Sequence, residues 1–425
     1  NIKDYKETFN IKTKTPCNAA FTSLYFTRDG YIKPCCIQHD RYSFGKYPDI
    51  SIKEALNSKN RKTLQKKLKN NDFSFGCKAC FDDIEARNYE AAMSTQYIKY
   101  KKQGMPRVLE FALSHYCNLD CIMCDLHTNK KDDTVYDQDF VESLTPYLKK
   151  ADATRFFGGE PFMIDIYKDI WNKIIKINPG MQVHIQSNGT INNKYIRELL
   201  LNMNVFLGIS FDAMHKNLYE QIRKGADFNK LMDNIRVFEE ITNKHGRPIN
   251  YSFCPMQINL QEIPAFMDFV NKNHGILFFN TVNRPSSLSL QSMSVEKLVD
   301  AENMLLKSRF NDHKNPNGKR NFQKLRHLIN SINSIKQHNQ KTEKKYARKP
   351  LVDVLKAHLK DTNPEAYAFL LSRLSDNQLQ KYISPVIQDK LSKIPPQALQ
   401  MELNNLIRKK EIKPFLEFFE INSEL

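Results

Sequence analysis

Six short apolar runs alternate with helix-forming stretches through the middle of this chain, and that alternation constrains its fold more than any other feature. The strand-like runs are VLEFALS (108–114), ATRFF (153–157), MQVHIQS (181–187), VFLGISF (205–211), INYSFCPM (249–256) and ILFFNTV (276–282). Helix-like runs lie between them at 138–150, 164–177, 192–203, 228–243 and 261–273. Strands that alternate with helices form βαβ units, pair in parallel and cross over with a right-handed connection. The expected class is therefore α/β with a parallel sheet, over residues 105–294.

The flanks read differently. Residues 1–104 hold short β-like pieces (FTSLYF, GYIKPCC) and one helix-like run at 51–69. Beyond 294 the pattern is helical. The segment 295–349 is basic: 307–349 carries 13 Lys/Arg against 2 Asp/Glu, much of the chain's net +17. Residues 350–425 read as amphipathic helices with 10 basic and 10 acidic residues. Four segments result: 1–104, 105–294, 295–349 and 350–425. A basic excess favours an anionic partner without specifying a fold. The basic segment reads as a solvated helix or as a dock for an acidic peptide or RNA. Only Phe310, Phe322 and Tyr346 interleave its charges, so stacking on single-stranded nucleic acid is not favoured. No run approaches the ~18 apolar residues of a membrane helix, and the first fifteen residues lack the apolar core of a signal peptide. No membrane association and a cytoplasmic location are expected.

Nine cysteines, an odd number, argue for metal or redox use rather than a disulfide framework. Eight of them precede residue 125. Cys117-Asn-Leu-Asp-Cys121-Ile-Met-Cys124 directly follows the first core strand. A [4Fe–4S] cluster normally takes four thiolates. Three on one loop leave one iron open to an outside chelate. The competing reading is a zinc knuckle. Polar turns recur at the ends of the next strands: Gly158-Gly159-Glu160-Pro161, Ser187-Asn188-Gly189-Thr190 and Ser210-Phe211-Asp212. Two glycines let backbone approach a ligand closely, and Glu160 adds an acceptor for an ammonium.

Over roughly 105–290, the C-x3-C-x2-C loop, the GGEP turn and the six-strand alternation resemble a radical S-adenosylmethionine (radical SAM) enzyme. The resemblance implies a partial (β/α)6 TIM-like barrel. By it, Cys117, Cys121 and Cys124 ligate a [4Fe–4S] cluster whose open iron takes the methionine amine and carboxylate of SAM. Gly158, Gly159 and Glu160 then line the amino group. Ser187 and Asn188 lie near the methionine or ribose, Ser210 and Asp212 near the ribose. Arg223 is the candidate for the carboxylate, and Met123 sits beside the adenine. The implied reaction is reductive cleavage of SAM to a 5′-deoxyadenosyl radical that abstracts a substrate hydrogen, with a one-electron reductant such as flavodoxin or ferredoxin.

Four more thiols stand in the order Cys17-x12-Gly30-x4-Cys35, then Cys77-x2-Cys80. They suit a second, auxiliary [4Fe–4S] cluster or a structural zinc. The spacing resembles a SPASM/twitch auxiliary-cluster domain, although such domains usually follow the barrel, and Cys36 is surplus. Cys254 closes the fifth strand run, either as a core thiol or as a hydrogen-atom donor facing substrate, an arrangement that resembles peptide epimerases. The expected function is modification of a ribosomally made peptide or protein, with an acidic leader as a candidate feature of that partner, by epimerisation, crosslinking or oxidation. The alternatives are a radical SAM dehydrogenase or epimerase of a small polyol or sugar, and a non-catalytic zinc-binding, nucleic-acid-associated protein.

Overall fold

The computed structural model describes residues 1–89, 91–100, 104–124 and 131–346. The helices expected over 350–425 lie outside them. The chain forms two compact units. The first comprises Asn1–Phe211 and Arg223–Tyr251, the second Asp212–Ile222 and Ser252–Leu425.

Eleven strands are present among the described residues: β1 (Ser23–Thr27), β2 (Tyr31–Lys33), β3 (Gly45–Lys46), β4 (Val108–Ala112), β5 (Asp120–Cys121), β6 (Ala153–Phe156), β7 (Gln182–Ser187), β8 (Val205–Ser210), β9 (Arg223–Lys224), β10 (Asn250–Phe253) and β11 (Ile276–Phe279). In the first unit the main sheet is open and runs β8-β7-β6-β4-β1-β2-β3. β4, β6, β7 and β8 pair in parallel, as the alternation predicts. Beyond that prediction, β1 joins β4 in parallel and β2 and β3 continue antiparallel, so the amino-terminal segment widens the core sheet.

Five of the six core strands end earlier than their apolar runs, and β7 ends with its run at Ser187. β10 stops at Phe253 rather than 256. The next amide, Cys254 N–H, is taken by the Asp212 carboxylate at 2.6 Å instead of by a ladder carbonyl. The expected helix 51–69 breaks at Ser58, whose hydroxyl caps a new helix by accepting Arg61 N–H.

Alternation along the strands separates two faces. On one, the buried rings of Phe26, Phe111 and Phe156 stack side by side at 5.5 and 5.0 Å. Tyr167 and Trp171, on the helix Asp165–Ile177, meet Phe156 edge-on at 5.0 and 5.3 Å. On the other face Glu110, Arg155 and His184 stand opposite one another in register across β4, β6 and β7.

In the second unit the helix Gly318–Tyr346 buries Leu325, Leu328 and Ile332. Asn321 docks it, accepting Leu277 N–H at 2.8 Å and donating to the Gly275 carbonyl at 3.1 Å. Lys319, Arg320, Arg326 and Lys341 stay exposed. Among the described residues no helix is long and apolar enough to cross a membrane.

The buried Tyr167 hydroxyl accepts Leu113 N–H at 2.9 Å and faces the carbonyls of Phe111 at 3.0 Å and Phe157 at 2.8 Å. It ties together the ends of two strands just before they enter their loops. Tyr167→Phe should lower stability by about 1–3 kcal/mol, read from urea unfolding, because buried backbone groups lose their partner.

Candidate iron–sulfur and cofactor sites

The loop after β4 carries the three-cysteine motif. Cys117 is buried, and Cys121 and Cys124 are half-buried. Donors gather on these sulfurs. Leu119 N–H lies 3.4 Å from Cys117 Sγ and Asn188 Nδ2 lies 3.8 Å from it. Arg223 Nη1 lies 3.8 Å from Cys121 Sγ. Burial, joined by the Glu160 and Cys124 charges, pushes the Cys117 thiol up, while the Leu119 amide and the Asn188 side chain pull the other way. Arg223 is buried and sits opposite Cys121 in the antiparallel β5–β9 pair. It is therefore part of the cysteine loop's own support, rather than a charge on a helix surface.

The GGEP turn packs directly on the segment that leads into Cys117. Gly158 has φ +110°, and a Cβ there would lie 2.4 Å from the Ser114 carbonyl oxygen. A Cβ on Gly159 would lie 2.0 Å from the Tyr116 carbonyl oxygen. Gly159 N–H donates to Ser114 O at 2.9 Å, and Glu160 N–H to Tyr116 O at 2.8 Å. The close approach these glycines permit is thus to the chain's own backbone.

The turn delivers Glu160, with no solvent exposure. Its carboxylate accepts Ser187 Oγ–H at 2.8 Å, Asn188 N–H at 2.7 Å and Phe162 N–H at 3.2 Å. Burial raises its pKa to about 7, opposed by those bonds and by the Arg223 charge. Asn188 Nδ2 also donates to Asn118 Oδ1 at 2.9 Å, and Asn188 Oδ1 accepts Thr190 N–H at 2.9 Å. The structure thus brings Cys117, Cys121, Gly158, Gly159, Glu160, Ser187, Asn188 and Arg223 into one linked group. Ser210 Oγ accepts Gln186 Nε2–H at 2.9 Å, and Met123 is half-buried in the cysteine loop. Asn118 and Thr190 were not singled out from sequence; their signal is position, inside the motif and two residues after Asn188.

In the second unit Asp212 and Cys254 form another group. Asp212 is fully buried, and the carboxylate expected near a ribose holds Cys254 N–H. Asn259 Nδ2 donates to the carbonyls of Asp212 at 2.9 Å and Cys254 at 3.0 Å. The Cys254 backbone is fixed at both ends, and its side chain is half-buried.

The four amino-terminal thiols line one apolar cavity. Cys17, Cys35, Cys77 and Cys80 share it with Leu64, Leu68, Phe73, Met93 and Tyr97. The surplus Cys36 is exposed. Burial pushes the Cys77 thiol up to about 12 and raises Cys35 and Cys80 as well. At Cys80, the amides of Met93 and Ser94 and the Ser94 hydroxyl favour the thiolate. Among the described residues no three His, Cys, Asp or Glu side chains close up enough to chelate a single ion. The donor chemistry at both places fits an iron–sulfur group: clustered sulfurs with N–H groups directed at them, in an apolar cavity at the amino-terminal thiols.

The comparisons with known proteins agree with this chemistry. A family model described as the radical SAM superfamily matches residues 111–270, and one described as an iron-sulfur cluster-binding domain, SPASM, matches residues 17–81. A radical SAM domain is thus preceded by a SPASM domain on its amino-terminal side. A radical SAM domain takes a [4Fe–4S] cluster and S-adenosylmethionine, and a SPASM domain takes auxiliary iron–sulfur chemistry. A GTP 3′,8-cyclase of Clostridium botulinum (strain Okra / Type B1) is 29% identical over 171 residues, covering 39% of this chain and 52% of that protein. A probable GTP 3′,8-cyclase of Methanocaldococcus jannaschii is 23% identical over 181 residues, covering 40% and 57%. The chain spans about half the length of the curated relatives it matches. Among solved structures, anSMEcpe with bound AdoMet aligns with TM-score 0.38 and 20% identity over 47% of this chain and 58% of that one. Streptococcus suis SuiB bound to S-adenosylmethionine aligns with TM-score 0.38 and 15% identity over 54% and 59%.

Gly159→Ala tests the packing of the turn on the cysteine loop. The new methyl collides with backbone, so the loop must shift. About four of the eight irons per reconstituted chain should be lost, with the auxiliary site still filled. Iron analysis with Mössbauer spectroscopy reads this directly.

Proposed function

We propose that this chain abstracts a hydrogen atom from a peptide or protein substrate by radical SAM chemistry. The observation that carries the proposal is the linked group around Cys117, in which two thiols of the three-cysteine loop, a buried carboxylate and a buried guanidinium are gathered by hydrogen bonds. A reduced cluster and S-adenosylmethionine, bound there, supply the 5′-deoxyadenosyl radical. Cys117, Cys121 and Cys124 are the ligands. Glu160 receives the ligand's ammonium, with Gly158 and Gly159 shaping the turn that presents it. Ser187 and Asn188 hold that carboxylate in place. Arg223, beside Cys121, suits a carboxylate. Met123 and Ser210 line the nucleoside end. Cys17, Cys35, Cys77 and Cys80 hold the auxiliary cluster, and four protein ligands favour electron transfer there over substrate ligation. Cys254 is the hydrogen donor that quenches a substrate radical, and Asp212 acts by fixing its backbone.

The peptide substrate rests on the resemblance of the amino-terminal domain to those of peptide maturases, and on the exposed basic face of the helix Gly318–Tyr346, which suits an acidic leader. A second reading, a nucleoside triphosphate substrate, is favoured by the relatives named GTP 3′,8-cyclase. Anaerobic turnover with SAM and dithionite separates the two. 5′-Deoxyadenosine release that depends on a genome-neighbouring peptide, with a mass change in that peptide, supports the first. Release that depends on GTP supports the second.

Two further outcomes are expected. Glu160 must be ionised to receive an ammonium. Its pKa near 7 lies above the ordinary carboxylate value, so ionisation is lost as pH falls through 7. SAM affinity of the reconstituted protein should then drop by up to about tenfold per pH unit below 7, measured by equilibrium dialysis. Cys254→Ala should still release 5′-deoxyadenosine but leave the substrate radical unquenched and trappable by EPR. An unchanged reduced product would remove Cys254 from the scheme.

A further inference from the structure

We infer that Tyr97, Glu110 and Arg155 form a buried charge bridge that sets the reduction potential of the auxiliary cluster from within the core sheet. The inference rests on the proposed cluster at Cys17, Cys35, Cys77 and Cys80.

Tyr97 belongs to both places at once. Its ring packs with Cys35 and Ala19 and lines the four-cysteine cavity. Its hydroxyl donates to Glu110 Oε2 at 2.5 Å. Glu110 lies on β4, the strand that feeds the Cys117 loop, and is 3% exposed. Its other oxygen, Oε1, accepts Arg155 Nη1–H at 2.6 Å, and Ser23 Oγ lies 3.3 Å from Oε2. The Arg155 guanidinium sits 5.6 Å over the Tyr97 ring. One aromatic ring therefore separates the cysteine cavity from an ion pair of opposite, nearly cancelling charges.

The Tyr97 hydroxyl is the donor in its bond to Glu110 Oε2, so the ring that lines the cysteine cavity is tied directly to the ion pair.

Reducing a cluster adds one negative charge, so a nearby fixed anion opposes reduction and a cation favours it. In low dielectric these terms are strong and screened little by salt. Packing alone does not demand an ion pair at this position, since apolar residues of similar volume often serve as well. An ion pair against a cluster cavity can instead hold the potential between the values its two charges would separately impose.

The test uses the full chain with Cys117→Ala, Cys121→Ala and Cys124→Ala, so that only the auxiliary cluster reports. EPR-monitored redox titration reads its potential. Glu110→Gln should raise the potential, Arg155→Gln should lower it, and the double variant should return close to the parent value. Tyr97→Phe, which keeps both charges but removes the hydroxyl that shields the carboxylate, should shift the potential in the direction of Arg155→Gln and by less. It serves if Arg155→Gln fails to fold. A full iron complement with unshifted potentials, or with Glu110→Gln and Tyr97→Phe shifting the same way, would overturn the bridge alone. Absence of iron from the four cysteines in the parent chain would overturn the cluster reading and the bridge together.

Discussion

The candidate site depends on one backbone contact. Two consecutive glycines let the turn after β6 lie directly on the carbonyls of Ser114 and Tyr116, the residues that lead into Cys117. No side chain fits between these two segments. That contact brings the Glu160 carboxylate beside the cysteine loop, where Ser187 and the Asn188 amide hold it. It places Asn188 across from Cys117. The candidate site is thus assembled mainly from strand ends and turns, and side-chain chemistry is positioned by main-chain geometry. Removing a carboxylate from water is costly unless hydrogen bonds compensate. Here three donors compensate in part, leaving a group that titrates near neutrality and gains from a cationic ligand.

The segments that carry the amino-terminal cysteines and the core cysteines are joined through one sheet. β1 pairs with β4 along five residues, from Ser23 against Val108 to Thr27 against Ala112. Glu110, in the middle of β4, connects to Tyr97 on one side and Arg155 on the other. A SPASM domain placed before the core, rather than after it, acquires this connection through simple sheet extension.

Much of this was legible in the sequence, and the rest was hidden for definable reasons. The six core strands were readable because apolar runs of strand length alternate with amphipathic stretches. The pairing of β1 with β4 was not, since a strand's local pattern does not name its neighbour. The spacing selected Cys35 over Cys36, and in the bend and turn that follow β2 the structure buries the first and exposes the second. Glu110 and Arg155 carried a signal that went unused. Each is a charge at the third place of an otherwise apolar strand run, where a buried partner is required. Asp212 was identified as important from its place at a strand end. Its partner was out of reach, because Cys254 N–H is 42 residues away in sequence.

On the proposed reading, the Cys117 loop holds a cluster with one iron left free for S-adenosylmethionine. The most direct measurement is pulsed ENDOR on the reduced, reconstituted protein with SAM labelled by 15N at its amino group. A 15N coupling is expected at the core cluster, and it should disappear in Glu160→Ala. A cluster that shows no coupling to the labelled nitrogen, with SAM demonstrably bound, would contradict it.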